Sequence, residues 1–172
     1  MSLRIGERLP EATLQEFNAV ETEGCPIGPR DVKIAEAVAG KTIALFALPG
    51  AYTPTCSAKH VPGYVEHRQA LRDAGVDEVW CVSVNDAFVM GAWARDQKAQ
   101  DSVRFLGDGS GSFTEAAGLT LDLRSRGLGV RSQRYSALVV DGVIRTLNIE
   151  APGAFAVSDA NTMLQQARAL RG

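Results

Sequence analysis

Thr42-Ile43-Ala44-Leu45-Phe46-Ala47-Leu48 is a near-continuous apolar run that stops at Pro49-Gly50. A run of that length, closed by turn residues, reads as a strand buried on both faces. Working outward, Pro54 to Ala74 reads as a helix closed by Gly75, and Val79-Trp80-Cys81-Val82-Ser83-Val84 as a second buried strand. Asp86 to Lys98 places Phe88, Val89, Ala92 and Trp93 at helical spacing. Val103 to Leu106 is a short strand, and Ser112-x-x-Glu115 has the form of a capping box opening a short helix. Residues 124–134 read as a loop with four arginines and two glycines. Tyr135 to Val140 and Val143 to Ile149 flank Asp141-Gly142, a hairpin signature. Ser158 to Leu170 reads as a final helix. Residues 1–40 are rich in turn signals, with room for one or two short strands and a helical turn at Lys33 to Val38.

Parallel crossovers early and a hairpin late predict an α/β fold, a mixed central sheet with helices on both faces; a thioredoxin-like type fits that order, and periodicity alone leaves other α/β topologies open. At 172 residues the chain is expected to be one domain, 1–172. A net charge of −2 and the lack of any long apolar run argue against nucleic acid and membrane as partners. No secretory leader is visible, so a cytoplasmic location is the default expectation. The three cysteines, Cys25, Cys56 and Cys81, are odd in number and irregularly spaced, which suits reduced thiols better than a disulfide framework.

The chemistry concentrates in Pro49-Gly50-Ala51-Tyr52-Thr53-Pro54-Thr55-Cys56, where a buried strand hands over to a helix. Pro54 suits the first helical position, which makes Thr53 the N-cap and Cys56 the third residue. There the sulfur lies beside unpaired backbone N–H groups and the positive end of the helix dipole, both of which favour a nucleophilic thiolate. The site is expected to face a polar cleft; a buried structural cysteine is the competing reading. Pro62 is expected to kink the same helix by orphaning the Ala58 carbonyl.

The stretch Leu48 to Ser57, with His60-Val61-Pro62-Gly63-Tyr64, resembles the type II (glutaredoxin-linked) peroxiredoxins, a thioredoxin-fold group. Val82 to Val89 and Arg134 to Gly142 resemble the same group in register. The resemblance implies an antioxidant peroxidase for hydrogen peroxide and organic hydroperoxides, without metal or organic cofactor. It implies that Cys56 is the peroxidatic cysteine and passes through a sulfenic acid. Thr53 would bond the peroxide, Pro49 would shield the site, and Arg134 would stabilise the thiolate and the departing oxygen. The Cys56 N–H and His60 would help form the substrate pocket. Recycling by glutathione/glutaredoxin or thioredoxin and a homodimer paired through a helical edge are implied as well.

Other residues admit two readings. Cys81 is either a core cysteine or a resolving partner, since some plant relatives share its spacing; no cysteine lies in Ala151 to Gly172, where some animal relatives carry one. Cys25 reads as incidental. Arg95 is a second pocket arginine by resemblance or an exposed helix residue. Arg124, Arg126 and Arg131 read as a solvated cluster. Arg134, opening an apolar strand, needs a partner, and the Cys56 thiolate can supply it. Cys56 and His60 are too few for a metal site and lack the third member of a hydrolase triad. Gly107 to Ser112 lacks the ending of a phosphate loop. Two alternatives from other classes are a redox sensor or thiol-dependent chaperone, and a disulfide exchanger; the latter predicts a Cys-x-x-Cys pair that the chain does not contain.

Overall fold

The computed structural model describes residues 2–17 and 28–172, so Cys25 lies outside the described residues. In chain order the elements are β1 (Thr13–Glu16), β2 (Arg30–Lys33), α1 (Ile34–Ala37), β3 (Thr42–Ala47), a helical turn from Pro54, α2 (Val61–Glu66) and α3 (Arg68–Asp73). There follow β4 (Glu78–Ser83), α4 (Ala87–Asp96), β5 (Arg104–Gly107), α5 (Ser112–Ala116), β6 (Thr120–Asp122), β7 (Val130–Ser132), β8 (Tyr135–Val140), β9 (Val143–Ile149) and α6 (Ala160–Arg171).

The main sheet has seven strands in the order β2-β1-β5-β4-β3-β8-β9. β3 pairs parallel with β4, and β4 with β5, while β8 lies antiparallel against β3. The apolar run explains its own placement. Ile43, Leu45 and Ala47 enter one core with Ile34 of α1 and Phe113 of α5. Ala44, Phe46 and Leu48 enter the other with Tyr64, Leu71, Trp93 and Met163 from α2, α3, α4 and α6. A strand covered on both sides has no use for alternation, so it reads as continuous. The expected mixed sheet with helices on both faces is what forms.

The β8–β9 hairpin turns at Asp141 and Gly142, with φ of 47° and 79°, as a two-residue turn with positive φ at both central positions requires. Three local expectations are corrected. The expected helix from Pro54 to Ala74 is three pieces. Cys56–His60 is a π-turn in which the Val61 N–H bonds the Cys56 carbonyl. Pro62 has no N–H and its ring crowds the carbonyl four residues back, so the strain is taken up by widening the preceding turn. The helix breaks again at His67, whose N–H and Nδ1 both bond the Gly63 carbonyl at 3.1 and 2.8 Å.

The capping box at Ser112 does not form: the N-cap is Gly111, with φ of 73° and no side-chain cap. The buried Asp108 does that work, accepting the N–H groups of Phe113 and Thr114 at 3.2 and 2.9 Å and the Thr114 hydroxyl at 2.8 Å. The expected loop at 124–134 contains a 3-10 turn at Arg124–Arg126 and β7, which pairs with β6 as a separate ribbon.

Candidate active site

The tip of β3 presents Pro49, and the chain then turns into the helix through a loop pinned from three sides. Asn85, just beyond β4, accepts the Ala51 N–H at 3.0 Å. Tyr52, held at a φ of 64°, donates its hydroxyl to Asp96 of α4 at 2.7 Å. Arg131 of β7 donates to the Pro49 carbonyl at 3.3 Å. A Cβ on Gly50 would stand 2.7 Å from the Arg131 Nη1, so glycine permits that approach. Arg131 is thus part of the site's frame, against the expectation of a solvated loop cation; Arg124 instead pairs with Asp122 on the surface.

The Thr53 carbonyl accepts the Ser57 N–H at 3.0 Å, so the helix does begin at Thr53-Pro54. Its hydroxyl donates to the Gly50 carbonyl at 2.7 Å rather than capping the helix. That bond uses the Thr53 proton and leaves the oxygen's lone pairs open. On the far side, Trp93 of α4 donates its indole N–H to the Ser57 hydroxyl at 3.0 Å.

Cys56 is fully buried, at 0 % exposure, in the core shared with α2, α4 and α6. This differs from the cleft-facing position expected of it. Arg134, only partly buried, lies against it. This residue precedes β8, donates Nη2 to Cys56 Sγ at 3.2 Å and directs Nη1 at His60 Nδ1 at 2.8 Å. A guanidinium has only donors, so Nδ1 is the acceptor and His60 is neutral. Its Nε2 then carries the proton and donates to the Ser158 carbonyl at 3.0 Å. Burial, reinforced by the Arg134 charge, pulls the imidazole down to about 3, consistent with that state. His60 is therefore stationed behind Arg134, fully buried.

Arg134 also lines a cleft of about 300 Å³ with Pro49, Thr55, Leu121 and Pro152. The residue that bonds the sulfur is thus also part of the cleft wall. Cys81 occupies the same core as Cys56, in register with Phe46 and Phe105 on its neighbouring strands. Burial, and secondarily Cys56, pushes its thiol well above the ordinary range. Arg95 is exposed and borders a separate groove at α4 and β5. Pro49, Cys56, His60 and Arg134 are thus brought together, with Thr53 beside them at the helix start.

Sequence reasoning missed Asn85, Arg131 and Ser158. Asn85 had a signal, since it lies in the second stretch that carries the family resemblance. The other two reach the site from chain segments distant in sequence and had no spacing to betray them.

A thiol at the head of a helix, on a sheet of this order, fits a thioredoxin-like fold, and residues 4–164 match the Redoxin family. The chain is 47% identical over 166 residues to the chloroplastic peroxiredoxin-2E of Arabidopsis thaliana, covering 95% of this chain and 69% of that one. Reduced Prx3 from Vibrio vulnificus, solved in complex with hydrogen peroxide, superposes with a TM-score of 0.88 at 44% identity, covering 96% of this chain and 99% of that one. A Burkholderia cenocepacia protein described as a thioredoxin reductase superposes at 0.92 with 55% identity, covering 96% and 98%. The chain belongs to the Redoxin family and, within it, to the type II peroxiredoxins. It is a thiol peroxidase. Among the described residues, no helix is long and apolar enough to cross a membrane.

Proposed function

We propose that Cys56 is the peroxidatic nucleophile and that one cysteine suffices for the cycle. The observation that carries this is the Arg134 Nη2 bond to Cys56 Sγ at the head of a helix beside a cleft. A sulfur electron pair attacks the terminal peroxide oxygen; the S–O bond forms, the O–O bond breaks, and the departing oxygen leaves with the electron pair and takes up a proton. Arg134 stabilises charge first on sulfur and then on the departing oxygen. The Thr53 oxygen, with its own proton committed to Gly50, accepts the peroxide O–H and orients it. The Cys56 N–H is the other donor to the peroxide, and Pro49 excludes water at the mouth. His60 works by fixing Arg134.

The sulfenic acid then condenses with an external thiol, releasing water, and a second thiol frees Cys56. Glutathione with glutaredoxin, or thioredoxin, is the reductant class. The buried Cys81, its thiol pushed far up, is a poor resolving nucleophile, which supports the one-cysteine cycle. Hydrogen peroxide and small organic hydroperoxides are the substrates. The reading takes residues 1–172 as one domain, supported by a sheet that draws strands from both halves of the chain. It also takes a homodimer, supported by the exposed rings of Phe88 on α4 and Tyr52 beside it, at 55 % and 52 % exposure. A reducing compartment such as the cytoplasm suits the free thiols.

One equivalent of peroxide, with and without glutathione, followed by mass spectrometry, tests the cycle. The expected products are a sulfenic acid on Cys56 and, with glutathione, its mixed disulfide. A Cys56–Cys81 disulfide as the main product would overturn the one-cysteine cycle. Full peroxidase activity in Cys56→Ser would overturn the assignment of the nucleophile.

A further inference from the structure

Glu150 follows β9 and belongs to none of the motifs that mark the site. Its backbone N–H bonds the carbonyl of Arg134 at 3.0 Å, so it is paired with Arg134 just beyond the β8–β9 ladder. Its side chain is buried at 8 % exposure and turns onto the segment that follows. The two carboxylate oxygens accept three successive backbone N–H groups: Ala156 at 2.9 Å, Val157 at 3.0 Å and Ser158 at 2.9 Å. The Ser158 hydroxyl adds a bond of 2.7 Å. Burial opposes charge on this carboxyl, but the bonds from Ser158, Ala156 and Val157 outweigh it and hold the group below the usual carboxylate range.

This cradle fixes the segment that carries two groups in contact with His60. The Ser158 carbonyl accepts the His60 Nε2–H at 3.0 Å and the Tyr64 hydroxyl at 2.9 Å. The Phe155 ring packs edge-on to His60 with centroids 4.9 Å apart and lies under the Arg134 guanidinium at 5.8 Å. The imidazole is thereby fixed in the one tautomer that leaves Nδ1 free to accept from Arg134.

We propose that Glu150 is a positioning residue for Arg134, acting through the folded 156–158 segment and the tautomer it imposes on His60. The proposal rests on the peroxidase reading of Cys56 and deepens it. Glu150 does not touch sulfur. It determines where the guanidinium sits, and small displacements of a donor aimed at a reacting atom are costly. Glutamine at 150 keeps the size but replaces one acceptor oxygen with an NH2 group that faces an N–H donor, so the cradle cannot close as before.

The test is a double-mutant cycle on the full chain, read as the second-order rate of Cys56 with hydrogen peroxide. Glu150→Gln is expected to lower that rate by roughly 10- to 100-fold. In an Arg134→Met background the same change is expected to cost less than about 2-fold, because the guanidinium it positions is gone. Equal losses in both backgrounds would reduce Glu150 to general packing and overturn the proposal, as would an unchanged rate in Glu150→Gln. The ¹⁵N shifts of the His60 ring give a second readout: loss of the Nε2–H tautomer is expected in Glu150→Gln and its retention counts against the relay. Should Glu150→Gln not fold, Ser158→Ala takes its place in the cycle, with the same coupling to Arg134 expected. If the wild-type chain does not react with peroxide, the function above fails. The cycle read with iodoacetamide alkylation of Cys56 then still decides whether Glu150 acts through Arg134.

Discussion

Arg134 makes two directed bonds with one planar group, to Cys56 Sγ at 3.2 Å and to His60 Nδ1 at 2.8 Å. Lysine carries the charge but lacks the planar fork, so its single nitrogen cannot reproduce two bonds made from separate Nη atoms. Arg134→Lys is expected to slow the reaction of Cys56 with peroxide by roughly 10²- to 10³-fold, the usual loss for one preorganised donor. Stopped-flow tryptophan fluorescence can follow it, since Trp93 bonds Ser57 beside the sulfur. His60 adds a pH signature. Its folded value of about 3 lies below the ordinary 6.5, so between those values the unfolded chain binds more protons. The stability contribution is fully present above about 6.5 and is lost as the pH falls toward 3. Glu16, Glu78 and Glu150 are also held below their ordinary 4.5, so their contributions fade only beneath that pH. The window between 4.5 and 6.5 is therefore where His60 acts without those three carboxylates. His60→Gln is expected to flatten the slope of Tm against pH there; an unchanged slope would show that His60 is not the source.

At the scale of elements, short helices here depend on carboxylates outside them. α5 is five residues long and begins at a left-handed glycine, too little to hold itself. Asp108 holds it by accepting two backbone N–H groups and a hydroxyl. Asp108→Ala leaves those buried donors unpaired and is expected to cost about 2 kcal/mol. Thermal unfolding should fall by roughly 4–8 °C for a chain of this size. The peroxide rate should change little, because the turn lies outside the Cys56 cluster. The π-turn at Cys56–His60 shows the opposite arrangement, with a helix loosened at the proposed nucleophile.

Across the whole molecule, Arg104 joins strands that lie far apart in sequence. It donates to Glu16 of β1 at 2.9 Å and to Glu78 of β4 at 2.7 Å, and its guanidinium lies 5.6 Å from the centroid of the Trp80 ring. Arg30 and Lys41 complete the network at 2.6 and 2.9 Å. Glu16 is only 3 % exposed, so losing Arg104 leaves a buried charge held by the more exposed Arg30 alone. Arg104→Met is expected to destabilise the fold by about 3 kcal/mol, measured by urea unfolding. A result within about 0.5 kcal/mol of wild type would place this network among surface pairs of little worth.

The amino-acid sequence by itself determined the buried central strands, the Asp141-Gly142 hairpin and the place of Cys56 in the first helical turn. Each is written in local chemistry: an unbroken apolar run, a dipeptide that tolerates positive φ, a proline at the first helical position. The tertiary structure alone decided what surrounds the sulfur. Arg134 reaches Cys56 across 78 residues, and Ser158 reaches His60 across 98. Arg131 looked solvated because nothing adjacent in sequence shows that β7 folds back onto Pro49. The capping box at Ser112 fits the local pattern, yet the helix starts one residue earlier at Gly111, whose carbonyl takes the Glu115 N–H, while the buried Asp108 accepts those of Phe113 and Thr114. Cys56 was legible as the candidate nucleophile, but its full burial was not. Exposure depends on which elements cover a residue, and those are chosen by the packing of the whole sheet.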